Sequence, residues 1–99
     1  MNYQSLLKQA QSMQKKMMDA KSKIDSTIFE GKSELITICI NGKREVISVK
    51  INENAELNLD DKEILEDMIM IATNDALRKI DREIENKLGS QTSGLSGLL

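Results

Sequence analysis

The residues of this sequence that could carry chemistry are charged ones, because the usual reactive side chains are nearly missing. There is no histidine, which removes the commonest general base and metal ligand. A single cysteine, Cys39, cannot build a thiolate metal cluster or an internal disulfide. No Walker-type loop and no G-x-G-x-x-G run occurs, and the glycines fall in turns or in the last residues. Asp60, Asp61, Glu63, Glu66 and Asp67 form an acidic cluster. Helix capping and surface pairs such as Lys62–Glu66 account for these acids without catalysis. What remains is a set of cations. Lys8, Lys15, Lys16 and Lys23 fall together on a wheel of about 100° per residue, with Asp19 the one acid among them. Such a face is ordinarily a solvated helix surface. These observations argue against an enzyme and predict no cofactor, no metal and no small-molecule substrate.

The elements that must position these charges begin with the stretch Leu59 to Leu88. Asp60 is placed to cap a helix, with Glu63 three residues on to complete a capping box and Leu59 and Ile64 to form a hydrophobic staple. Ile64, Met68, Ala72, Ala76, Ile80, Ile84 and Leu88 then repeat at i+4, with Leu65, Ile69 and Leu77 alongside. Through Met70 and Ile71 this helix is apolar around most of its circumference, which predicts burial on more than one side. Lys87 and Gly89 supply a stop.

A second helix is expected from Tyr3 to about Ile24. Tyr3, Leu6, Ala10, Met13, Met17, Ala20 and Ile24 alternate spacings of three and four, a coiled-coil-like seam opposite the lysines. Between the helices lies a short β region. Ser26 to Gly31 reads as a weak first strand ended by Gly31-Lys32-Ser33, and Glu34 to Ile40 alternates with Ile36, Ile38 and Ile40 on one face. Asn41-Gly42 marks a hairpin into the strand Val46 to Ile51. A two-residue turn would set Ile36 opposite Ile47, and a four-residue turn opposite Val49, keeping the apolar faces together either way. The fold class is therefore α+β, in the order helix, three-stranded antiparallel sheet, helix. Residues 1–88 are expected to form one domain and 89–99 a disordered tail.

A chain of 99 residues with Tyr3 and Phe29 as its only aromatics has a thin core of Ile, Leu, Val and Met. Strands of this length span about 20–27 Å, less than either helix, so both helices must project beyond the sheet. Their projecting seams, Leu6, Ala10 and Met13 in one and Ile80, Ile84 and Leu88 in the other, are able to cover each other. The all-round apolar stretch from Ile64 to Ala72 needs more than one sheet face. A homodimer meeting there, through Ile64, Leu65, Met68, Ile69, Ile71 and Ala72, is the simplest solution. The net charge of −2 gives no overall argument for a nucleic-acid or anionic-membrane partner. No signal peptide and no apolar run of about 20 residues is present, so the chain reads as cytoplasmic with no membrane partner.

Together the opening LLKQAQSMQKKMMDAK, the centre ITICINGKREVISVKIN and the stretch LDDKEILEDMIMIATNDALRKI resemble the YbaB/EbfC nucleoid-associated proteins. The run from Lys8 to Lys16, Asn41-Gly42, Lys62-Glu63 with Leu65-Glu66-Asp67, and Asn74-Asp75-Ala76 carry the likeness. It departs from the family at Gly31-Lys32-Ser33, where a glycine-rich loop is usually longer, and after Gly89, where a proline- and phenylalanine-containing ending is usual. The resemblance implies a tweezer-like homodimer with projecting helices that binds DNA at the nucleoid and affects its organisation or gene expression.

Given that implication, Lys8, Lys15, Lys16 and Lys23 are the first candidates for phosphate contact, with Arg78, Lys79 and Arg82 as a second cluster crowded by Asp75, Asp81, Glu83 and Glu85. Without aromatic platforms, binding to double-stranded DNA of low sequence specificity is expected. A non-catalytic module, or small chaperone-like dimer, gripping a protein with its helical arms is the alternative.

Overall fold

The computed structural model describes residues 2–54, 56 and 59–89, apart from the side chain of Leu59. The expected tail beyond Gly89 and the Leu59–Ile64 staple lie outside what is described. The order is the expected one: helix α1 (Tyr3–Ser26), strands β1 (Ile28–Lys32), β2 (Ile36–Asn41) and β3 (Val46–Ile51), then helix α2 (Lys62–Ile84). The sheet is antiparallel throughout, in the order β1-β2-β3.

Helix α1 starts at Asn2, whose Oδ1 accepts the Ser5 N–H at 2.8 Å, satisfying one of the free donors of the first turn. It ends where Thr27 turns extended, the Thr27 hydroxyl donating to the Lys23 carbonyl at 2.7 Å. The second helix begins later than expected. Leu59–Asp61 forms a 3-10 turn, so the cap position falls on Asp61 rather than Asp60. Its far end also differs, because Glu85–Gly89 widens into a π-helical turn. An i+4 repeat drifts about 40° per step around a helix of 3.6 residues per turn. The wider π turn takes some of that drift back and keeps Leu88 buried, at 2 % exposure.

The core is small and regular. Ile36, Ile38 and Ile40 point from the central strand toward Ala72, Ala76 and Ile80 of α2, and Phe29, Leu35, Leu65, Met68, Leu77 and Ile84 pack around them. Gly31 lies within β1 rather than ending it, and the connection to β2 shifts to Ser33–Leu35. Its position is fixed by α2: a Cβ there would run into the Ala72 carbonyl and the Ala76 backbone nitrogen. Glycine facing two alanines lets strand and helix approach at backbone distance.

The hairpin between β2 and β3 forms where Asn41-Gly42 predicts it, but its register is neither of the two expected. Ile36 pairs with Ile51 and Ile38 with Val49, with a bulge after Cys39 that brings Val46 opposite Ile40. The turn closed by the Asn41 N–H on the Glu45 carbonyl holds three residues, Gly42, Lys43 and Arg44, and Arg44 takes the left-handed conformation at φ 68°. Asn41 serves through its side chain: its Oδ1 accepts the Glu45 N–H and its Nδ2 donates to the Glu45 carboxylate, both at 3.0 Å. Gly42 is required because a Cβ would strike the Ile24 carbonyl at the end of α1.

The cover over the sheet is partial, and one expectation about the helices is corrected. Helix α2 packs chiefly on β1 and β2, so Val49 and Ile51, which share the helix side with Ile38 and Ile36, stay about half exposed. The two helices meet near their C-terminal ends, in a molecule of 70 × 20 × 16 Å. Ile80, Ile84 and Leu88 therefore belong to the body rather than to a projecting seam, and they do not cover Leu6, Ala10 and Met13. The N-terminal half of α1 projects as an arm, every residue from Asn2 to Lys16 being exposed. At the other end, the first turns of α2 carry the exposed Ile64, Met70 and Ile71.

Candidate nucleic-acid interface

Lys8, Lys15 and Lys16 stand on the arm, and Lys23 stands where α1 reaches the body; all four are exposed. The helical wheel places them opposite the apolar seam. None of the four is in an ion pair among the described residues, whereas Lys21, on another side of α1, is held by Asp25 at 3.0 Å. Lys23 also shares a cleft with Lys87 and Glu83 between the helix ends.

The second cluster is committed in part to the fold. Lys79 donates to the Glu30 carbonyl at 2.6 Å and lies 3.4 Å from Asp75, while Arg78 lies 3.9 Å from the same carboxylate. Arg82 is exposed on the last turns of α2 and in no ion pair among the described residues. Asp75 is the centre of this arrangement. It accepts the Lys32 backbone N–H at 3.0 Å, and that bond, with the Lys79 and Arg78 charges, holds its carboxyl below the usual aspartate range against some desolvation. Asp75 and Lys79 thereby occupy backbone groups of β1, Lys32 N–H and Glu30 C=O, that strand pairing leaves open.

One cation pairing was not anticipated from sequence. Arg44 on the hairpin loop reaches Asp81 of α2 at 2.6 Å, and Lys43 sits beside it, exposed. The Asn-Gly-Lys-Arg run was readable as a basic turn, but the pairing depends on how α2 crosses the sheet. The two cation sets do not converge: one runs out along the arm, the other lies on the body.

The six residues expected at a dimer contact divide by burial. Ile64, Ile69 and Ile71 are open to solvent, Leu65 and Met68 lean against the core, and Ala72 is fully buried beneath Gly31. On the opposite face of the sheet, Glu30, Thr37, Cys39, Ser48 and Lys50 form a polar surface in which Cys39 is half-buried. Among the described residues no group of three or more His, Cys, Asp and Glu side chains is placed to hold a metal ion, and no helix is long and apolar enough to cross a membrane.

Residues 1–95 match the model of the YbaB/EbfC DNA-binding family. A nucleoid-associated protein of Rickettsia typhi is 44 % identical, the match covering 96 % of this chain and 90 % of that protein. A nucleoid-associated protein of Ligilactobacillus salivarius is 32 % identical over 99 % of this chain and 95 % of its own length. The crystal structure of an uncharacterized protein from Helicobacter pylori superposes with a TM-score of 0.69 at 25 % identity, covering 87 % of this chain and 91 % of that one.

Proposed function

The chain belongs to the YbaB/EbfC DNA-binding family, and we propose that it acts at the nucleoid as a homodimer binding double-stranded DNA with low sequence specificity through the lysine face of α1. The observation that carries this reading is the exposed set Lys8, Lys15, Lys16 and Lys23, unpaired among the described residues and on the arm side opposite the apolar seam. Cations that reach outward and are not neutralised can displace the counterions of a phosphate backbone, and they do so without reading bases. Arg78 and Arg82 are secondary contacts, and Lys79 serves the fold first. Effects on nucleoid organisation and gene expression follow from occupancy of many sites rather than from a chosen sequence.

The dimer contact comprises the first turns of α2, with Ile69 on the side toward β3 and Ile64 and Ile71 on the side toward the β1 edge, and the half-exposed β3 residues Val49 and Ile51. Leu65, Met68 and Ala72 support these turns from inside the protomer. A mobility-shift titration of several unrelated duplexes at increasing salt tests the DNA reading. Similar affinities that fall steeply with salt are expected. A flat salt response, or no shift, moves the function to the alternative of a protein-gripping module, which the exposed arm seam would serve.

A further inference from the structure

The arm carries an apolar stripe that nothing in the protomer covers. Tyr3 is 79 % exposed, Leu6 49 % and Met13 53 %. About four turns of helix without tertiary packing are marginal in water, so the arm gains most of its order from whatever lies on that stripe. Its spacing is that of a heptad seam. Tyr3, Ala10 and Met17 occupy one core position, and Leu6, Met13 and Ala20 the other, with Met17 and Ala20 half-buried where the arm joins the body.

We propose that the stripe is covered by the arm of a second copy, packed antiparallel as a two-helix coiled coil. In that arrangement each residue of one core position faces one of the other. Ala10 then meets Met13, Leu6 meets Met17 and Tyr3 meets Ala20, so each small side chain lies against a large one. Parallel pairing sets every residue on its own copy, leaving thin layers at Ala10 and Ala20. It also brings Lys16 against Lys21 along the flank. The antiparallel flanks join Leu7 with Gln14 and Gln9 with Lys16, opposing no like charges. Lys8 and Lys15 occupy the outermost heptad position and stay free on both sides of the pair.

This pairing goes beyond the DNA-binding reading and needs neither DNA nor the α2–β3 contact. Where that contact also forms, two isologous surfaces on each protomer join more than two copies, with lysines on the outer faces of each arm pair to hold duplex segments.

The test uses full-length chains carrying Leu6→Cys or Met17→Cys, each with Cys39→Ser, mixed and oxidised at micromolar concentration. The expected product is a disulfide between one Leu6→Cys chain and one Met17→Cys chain. Products joining like positions, or no product, overturn the proposal. Sedimentation supplies an independent measurement: Leu6→Glu with Met13→Glu is expected to weaken association more than tenfold while the body unfolds at an unchanged temperature. Unaltered association in that variant also overturns it. Failure of the α2–β3 dimer would show separately, as a Val49→Asp variant with undiminished mass and an intact cross-link.

Discussion

The backbone N–H of Lys32 donates to the Asp75 carboxylate across 3.0 Å, joining the end of β1 to the middle of α2. The bond fixes where the helix crosses the sheet, beside the buried approach of Gly31 to Ala72 and Ala76. It also gives the fold a pH dependence. The Asp75 carboxyl is held below its ordinary value, first by this hydrogen bond and then by Lys79 and Arg78.

A depressed folded-state value means that Asp75 contributes its stability above the unfolded value of about 3.9. The contribution is lost as pH falls through the lower folded value. Asp75→Asn is therefore expected to lower the melting temperature by a few degrees at pH 7. The gap between variant and wild type closes in strongly acidic solution. Thermal melts of both proteins from pH 7 to pH 2 check this, and a gap that stays constant would show that the charge is irrelevant.

Gly31→Ala is the substitution expected to damage the fold most. The added methyl meets backbone atoms of α2 rather than the end of a side chain, so the helix itself must move. Overpacking of this kind costs about 1–3 kcal/mol or more. A urea titration followed by circular dichroism measures the loss. A change below about 0.5 kcal/mol, the usual range for surface substitutions, would mean that α2 slides away from β1 without penalty.

These two residues also show how far the sequence could be read. Period-two isoleucines in β2 and the Ala72–Ala76–Ile80 repeat announced the buried faces, because burial imposes those periods directly. The register of β3 was not legible. It depends on a bulge after Cys39 and on left-handed Arg44, neither of which has a strong residue signature. Asn41-Gly42 located the hairpin for a different reason from the expected one, since Gly42 answers to Ile24 of α1 and not to its own dihedrals. The arm seam of α1 was visible as a stripe needing cover, but periodicity does not state which element supplies it. The lysine face was legible as a pattern, and the engagement of Lys79 with Glu30 was not, because that hydrogen bond spans 49 residues of sequence.

The homodimer reading makes its own prediction. Ile69 and Val49 are 39 % and 53 % exposed in the protomer, so an aspartate at either position is solvated in the monomer and buried only when copies meet. Each of Ile69→Asp and Val49→Asp is expected to lower the sedimented mass at micromolar concentration, to no more than arm-paired dimers, at a cost to this contact of several kcal/mol. Wild-type protein that sediments as a monomer would remove the basis of this interface.

The lysine face gives the sharpest test of function. Lys15→Ala with Lys16→Ala removes two exposed charges, unpaired among the described residues, from the side of α1 opposite its seam, so the thermal stability of the body is expected to stay within experimental scatter. If both lysines bind phosphate, affinity falls by a similar factor for unrelated duplexes. The slope of log affinity against log salt drops by about 0.9 for each phosphate no longer neutralised, hence about 2 for one arm and about 4 when two arms engage. Arg78→Ala with Arg82→Ala is the comparison, on the body and away from the arm. A net charge of −2 makes general attraction a poor imitation of this local effect. Loss of binding in the arginine pair alone, with the lysine pair unchanged in affinity and slope, would place the interface on α2 instead of the arm.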